Sequence, residues 1–122
     1  MLKVLIVDDH QDTAHLITEI LRTSTQARIT TVLSGELAIK TLKVENYDLV
    51  ICDFHMPEMN GHEVFLAIKD AGHDCQFLLF TNADLRILPK FNGTGFLGIV
   101  KKTDLEALID HVAKLGNEKG AL

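Results

Sequence analysis

Three short apolar runs punctuate the chain, and each ends on a polar side chain. Val4-Leu5-Ile6-Val7 ends at Asp8, Leu49-Val50-Ile51-Cys52 at Asp53, and Phe77-Leu78-Leu79-Phe80 at Thr81. Unbroken apolar runs of this length, without alternation, predict strands buried on both faces. Weaker strands are expected at Ile29 to Leu33 and Phe96 to Val100. Between the runs the period turns helical. Leu16, Ile17, Ile20 and Leu21 would line one helix face, and Leu37, Ala38 and Leu42 a second. Val64, Phe65 and Ile68 would line a third, and Leu105, Leu108, Ile109, Val112 and Leu115 the last.

The punctuation agrees. Ser34 is placed to cap the helix that starts near Gly35. Thr103 with Glu106 three residues on forms a capping-box pattern for the last helix. From Asp84 to Asn92 the reading weakens, because Pro89 falls where a helix interior would be. The sum is strand–helix repeated five times. That alternation implies an α/β fold, a doubly wound parallel sheet with helices on both faces. A domain is expected over residues 1–116, with residues 117–122 as a polar tail or the start of a linker.

Composition narrows the function classes. The chain has 122 residues, room for a single domain. Twelve Lys+Arg against seventeen Asp+Glu give a net charge of -5, so direct nucleic-acid binding, which needs a basic face, is not expected. No apolar run is long enough to span a bilayer, and the stretch after Lys3 ends at two aspartates rather than at the small residues of a signal peptide. Cys52 and Cys75 are too few for a disulfide framework or structural zinc, which points to a reducing, cytoplasmic setting.

In doubly wound sheets, ligands sit beyond the carboxyl ends of the strands. Asp8, Asp9, Asp53 and Thr81 all fall there. One aspartate after a strand is readily a helix cap. Three carboxylates drawn from two strands repel one another unless something neutralises them, and a hard divalent cation is the natural partner. Magnesium suits oxygen ligands and leaves room for phosphate oxygens.

At this point the chain resembles the receiver domains of two-component response regulators, the CheY-like, flavodoxin-like fold. The likeness rests on VLIVDDH at 4–10, DLVICDFHMPEMNG at 48–61, LLFTNA at 78–83 and GFLGIVKKTD at 95–104. It implies a five-stranded sheet in the order 2-1-3-4-5. It implies Asp53 as phosphoacceptor, with Asp8, Asp9, Asp53 and the backbone carbonyl of His55 holding Mg2+. Thr81 would be the hydroxyl that moves to the phosphoryl group, and a lysine at the end of the fifth strand would pair with it. The implied partners are a sensor histidine kinase or histidine phosphotransfer protein, and an output domain or protein. The fourth and fifth helical faces leave a homodimer open.

Laid on the family's glycine spacing, Gly95 and Gly98 match and Lys102 becomes the catalytic lysine. Lys101 is the alternative, since a slip of one residue turns a strand side chain to the other face. Four positions depart from the family: Ile99 replaces an aromatic ring, Asn82 a small residue, and Thr103 a proline, and Pro89 would shorten or distort the fourth helix.

Other signals carry less. Gly93, Gly95 and Gly98 satisfy G-x-G-x-x-G, but a strand follows them where a nucleotide site needs a helix, so they read as a helix-ending turn. The histidines His10, His15, His55, His62, His73 and His111 show no metal-ligand spacing. His10 and His55 flank the acidic cluster, where they could tune local pKa values or phosphoryl lifetime. Cys52 reads as a buried inert thiol, and Gly61 as a residue needed for its backbone angle.

Three functions compete. The first is a phosphorylation-controlled signalling module, not an enzyme with free-substrate turnover. The second is a Mg-dependent phosphatase or phosphotransferase with an aspartyl nucleophile, for which the best-known family needs Asp-x-Asp after the first strand. The third is a degenerate receiver acting by protein contact alone.

Overall fold

The computed structural model describes residues 1–120. Five strands form one parallel sheet: β1 (Lys3–Val7), β2 (Arg28–Val32), β3 (Leu49–Cys52), β4 (Gln76–Thr81) and β5 (Phe96–Lys101), in the order β2-β1-β3-β4-β5. The α-helices are α1 (Gln11–Ser24), α2 (Gly35–Val44), α3 (Gly61–Asp70) and α4 (Leu105–Glu118). The expected sheet order is therefore present.

Side chains alternate across each strand, and the two faces bury separate cores. Val4, Ile6, Leu49, Ile51, Leu78 and Phe80 pack with Ile17 and Leu21 of α1 and Leu108, Val112 and Leu115 of α4. Leu5, Val7, Val50, Cys52, Phe77 and Leu79 pack with Leu42 of α2 and Val64, Phe65 and Ile68 of α3. Burying each such large side chain contributes roughly 1.5–3 kcal/mol, which is why the strand runs contain no polar residue.

The expected fourth helix, between β4 and β5, is not there. Between β4 and β5 the chain makes only a 3-10 turn, Leu85–Ile87, capped by the Asp84 side chain on the Arg86 N–H. Pro89 denies a longer helix its N–H and its space. Aromatic packing replaces the helix: Phe91 stacks on Phe96 with centroids 4.6 Å apart, and His62 meets Phe91 edge-on at 5.0 Å. The His62 ring also lies 3.1 Å from the Lys90 carbonyl, tying the crossover to α3.

Other details correct the sequence reading. Ser34 caps α2 as expected, accepting from the Leu37 N–H, but α4 is capped by Asp104, not Thr103. The Asp104 N–H closes a turn onto the Lys101 carbonyl, which delays the helix by one residue. Leu16 and Leu37 are exposed rather than buried, because each helix buries one stripe and Ala14 and Ala38 occupy the inward positions. Gly93–Gly95 form a turn into β5 with no helix before it, so that turn ends no helix. Helix α4 continues two residues past the expected boundary at 116, and residues 121 and 122 of the expected tail lie outside the described residues.

Candidate functional site

The chain runs from β1 outward to β2, then crosses back to β3 on the other side of β1. A crevice opens at such a reversal, above the carboxyl ends of β1 and β3. Val7 pairs with Cys52 in register, so Asp8 and Asp53 leave the sheet side by side. The Asp53 N–H still donates to the Val7 carbonyl at 3.0 Å. Both carboxylates are almost fully buried.

Each oxygen of the pair is accounted for. Asp53 Oδ1 accepts from the Phe54 N–H at 2.7 Å, and Oδ2 accepts from Lys102 Nζ at 2.8 Å. Asp8 Oδ2 accepts from the same ammonium at 2.7 Å, while its Oδ1 accepts from the His10 N–H at 2.9 Å. Lys102 thus bridges two buried carboxylates. Burial alone would lower its pKa, but the hydrogen bonds it donates to Asp53 and Asp8, with their charges, outweigh that and raise it above the ordinary lysine value.

Of the two candidate lysines, Lys102 is therefore the one that reaches the carboxylates. Lys101 is the last residue of β5, paired with Thr81, and is exposed. The Lys102 N–H donates to the Thr81 carbonyl at 3.3 Å as the chain leaves the strand, and its side chain turns inward. Thr81 is buried at the end of β4. Its Oγ1 accepts from the Ala83 N–H at 3.1 Å, which leaves the hydroxyl proton available to donate. Asn82 is exposed beside it, and Ile99 is exposed on β5.

Asp9 completes the acidic group. Its Oδ1 is shut off from water and accepts no hydrogen bond, although His10 Nδ1 lies 3.2 Å away. Asp8, Asp9, His10 and Asp53 each present a donor atom, all within 4.8 Å of one another. Hard oxygen donors, an unsatisfied buried carboxylate oxygen and an ammonium drawn between the others fit a divalent cation such as magnesium. A cleft of about 460 Å³ opens beside these residues, lined by His10, Asp53, Thr81 and Lys102 and also by His55, Asn82 and Ile87. A larger groove of about 680 Å³, beside Gln11, His15, Leu16 and Leu33, lies along α1 and the end of β2, apart from the carboxylates.

One support escapes a reading of residue types. Gly61 has no unusual backbone angle, contrary to expectation. It is glycine because a Cβ there would collide with the Asp53 carbonyl and the Phe54 Cα, so α3 begins hard against the Asp53 backbone. His10, expected beside the acidic cluster, does turn its ring toward both Asp8 and Asp9. Cys52 is buried as expected, and burial, with the nearby Asp53 and Asp8 charges, pushes its thiol well above the usual range.

The family described as "Response regulator receiver domain" matches residues 4–113. The rice two-component response regulator ORR5 (Oryza sativa subsp. japonica) is 42% identical over 69 residues, 56% of this chain and 51% of that protein. A protein-glutamate methylesterase/protein-glutamine glutaminase of Clostridium acetobutylicum is 30% identical over 82 residues, 66% of this chain and 24% of that protein. The chain spans about half the length of the rice relatives it matches. Among solved structures, the response regulator protein TrrA of Thermotoga maritima is 32% identical with a TM-score of 0.82, covering 94% of this chain and 99% of that one. A Francisella response regulator receiver domain shares the fold at a TM-score of 0.84 with 19% identity, covering 98% and 99%.

Proposed function

This chain belongs to the response regulator receiver domain family, and from that premise we propose that it accepts a phosphoryl group on Asp53 from a histidine kinase or phosphotransfer protein. An Asp53 carboxylate oxygen attacks phosphorus, the bond from phosphorus to the donor histidine nitrogen breaks, and the leaving imidazole takes a proton. The product is an aspartyl phosphate, one self-modification per cycle rather than turnover of a free substrate.

The observation that carries this reading is Asp53 itself: a nearly buried carboxylate beside Asp8, bridged by Lys102 and facing an open cleft that Thr81 also lines. Nucleophile and electrophile are both anionic, so positive charge must be positioned before reaction. Lys102 supplies one such charge and can pair with the transferred oxygens. Thr81 can donate its free proton to them, and its movement would carry the Asn82–Asp84 loop, a local event with a wider readout. Magnesium held by Asp8, Asp9, Asp53 and the His55 carbonyl would neutralise charge on the phosphoryl oxygens. The Thermotoga relative, whose structure was determined in complex with Mg(2+)-BeF, supports that assignment. Among the described residues no helix is long and apolar enough to cross a membrane, and both cysteines are free, in keeping with exchange in the cytoplasm.

Intact-mass analysis after exposure to a small phosphodonor tests the proposal, comparing wild type with Asp53→Asn. A single labile adduct that needs magnesium and vanishes in the variant is expected. Steady hydrolysis of a phosphate ester would favour the phosphatase reading. No adduct under any condition would favour a receiver working by contact alone.

A further inference from the structure

We propose that the His10 imidazole is a protein ligand to the divalent ion of this pocket, so that the site takes an imidazole-binding transition ion by a grip it does not use on magnesium. The inference rests on the reading of the acidic cluster as a cation site. It concerns what this chain adds to that cluster.

His10 stands at the N-cap of α1, where a side chain normally accepts from the helix backbone, yet its ring makes no capping hydrogen bond. The ring instead turns back over the carboxylates, with Nδ1 sharing a hydrogen bond with Asp8 Oδ1 at 3.3 Å and lying 3.2 Å from Asp9 Oδ1. Its own N–H holds Asp8 Oδ1 at 2.9 Å, which fixes the distance between ring and carboxylate. The contact with Asp9 is not aligned as a hydrogen bond, and Asp9 Oδ1 stays unsatisfied.

Those separations suit a shared ion. Donors about 2.0–2.1 Å from a tetrahedral zinc lie about 3.3–3.4 Å apart along each edge. Adjacent donors of an octahedral magnesium at about the same radius lie closer, at about 2.9 Å. The ring nitrogen lies 3.2–3.3 Å from each of two carboxylate oxygens, nearer the first arrangement. Chemistry points the same way, because imidazole nitrogen suits zinc, nickel and copper, whereas magnesium prefers oxygen.

The test is calorimetric titration of the whole chain with Zn2+ and with Mg2+, for wild type and His10→Ala, together with 15N NMR of the histidine rings. The His10 side chain is about two-thirds exposed, so the variant keeps its fold. Wild type is expected to bind both ions at this site, with the His10 Nδ1 resonance shifting on Zn2+ and not on Mg2+. His10→Ala is expected to lose at least tenfold in Zn2+ affinity while Mg2+ affinity stays within about twofold. Equal Zn2+ affinity in the two proteins, or an unmoved His10 ring while Asp9→Asn abolishes Zn2+ uptake, would overturn the inference and leave the cation site standing. Uptake of neither ion by wild type would overturn the cation site itself, and His10's role with it.

Discussion

Lys102 Nζ lies 2.8 Å from Asp53 Oδ2, so the ammonium holds the same carboxylate that the proposed chemistry needs as nucleophile. Because it also holds Asp8 at 2.7 Å, it competes with any divalent ion for both groups. Removing it should therefore move two measurements in opposite directions. Lys102→Met is expected to bind Mg2+ about tenfold more tightly, since a positive charge a few ångströms from the ion is gone. The same variant should form the aspartyl adduct at least tenfold more slowly, because the charge that offsets the phosphoryl oxygens is gone too. Titration and intact-mass time courses on one preparation would check both. A variant that loses both together would show that Lys102 supports the pocket's shape rather than competing for it.

Stability should respond with a defined pH dependence. Without the ammonium, two buried carboxylates face each other, and Lys102→Met is expected to cost about 3 kcal/mol in the presence of a chelator, the low end for breaking a buried ion pair. The folded pKa of Lys102 is raised. Its contribution is therefore complete below the unfolded lysine value of about 10.4 and is lost as pH rises through the folded value. The stability gap between wild type and variant, read from urea melts, should be flat across neutral pH and should close only in strong alkali. A gap that closes as pH rises from 7 to 9 would contradict the ion pair described.

The fold was legible because strands buried on both faces leave an unmistakable trace, as in Val4 to Val7 and Leu49 to Cys52, each ending at the aspartate that the fold brings to the rim. That Asp8, Asp9 and Asp53 meet follows from the same trace, since residues directly after neighbouring parallel strands converge. The acceptor role of Asp53 and the His55 carbonyl as a ligand rest on the family resemblance alone. Lys101 and Lys102 could not be separated in the same way. Both are lysines at the end of a strand, and only the pairing of Lys101 with Thr81 shows which one leaves the ladder and turns inward. The fourth crossover was legible only as a problem at Pro89; the contacts of Phe91 with His62 and Phe65 that help replace a helix join residues far apart in sequence. Leu16 and Leu37 misled because an apolar residue beside a helix's buried stripe looks the same in sequence as one within it.

Helix α4 offers a direct check on capping. Thr103 and Glu106 have the residue types of a capping box, but Asp104 makes the bond, accepting from the Ala107 N–H at 3.1 Å. Asp104→Ala is expected to cost about 1 kcal/mol, and Thr103→Ala only a few tenths. Chemical denaturation of the two variants would distinguish them. The reverse order would place the start of α4 one residue earlier.

Gly61 couples the packing of α3 to Asp53, the proposed acceptor. A methyl group there meets the carbonyl of Asp53, the Cα of Phe54 and a Leu79 methyl, and backbone atoms cannot step aside as a side-chain tip can. The Gly61 N–H also donates to the Phe54 carbonyl at 2.9 Å, which ties the helix start to the loop after Asp53. Gly61→Ala is expected to cost about 2–3 kcal/mol, as overpacking does in a filled interior. It should also slow adduct formation on Asp53, because the Phe54 N–H that positions Asp53 Oδ1 shifts with the loop. Gly72→Ala is the control. Gly72 has a φ of +74° and open space around it, so alanine there strains the backbone by about 1 kcal/mol without touching the site. Melts and phosphodonor time courses on both variants should show stability falling in each and the adduct rate falling only in Gly61→Ala. If both variants kept the wild-type adduct rate, the close approach of α3 would be a matter of packing alone.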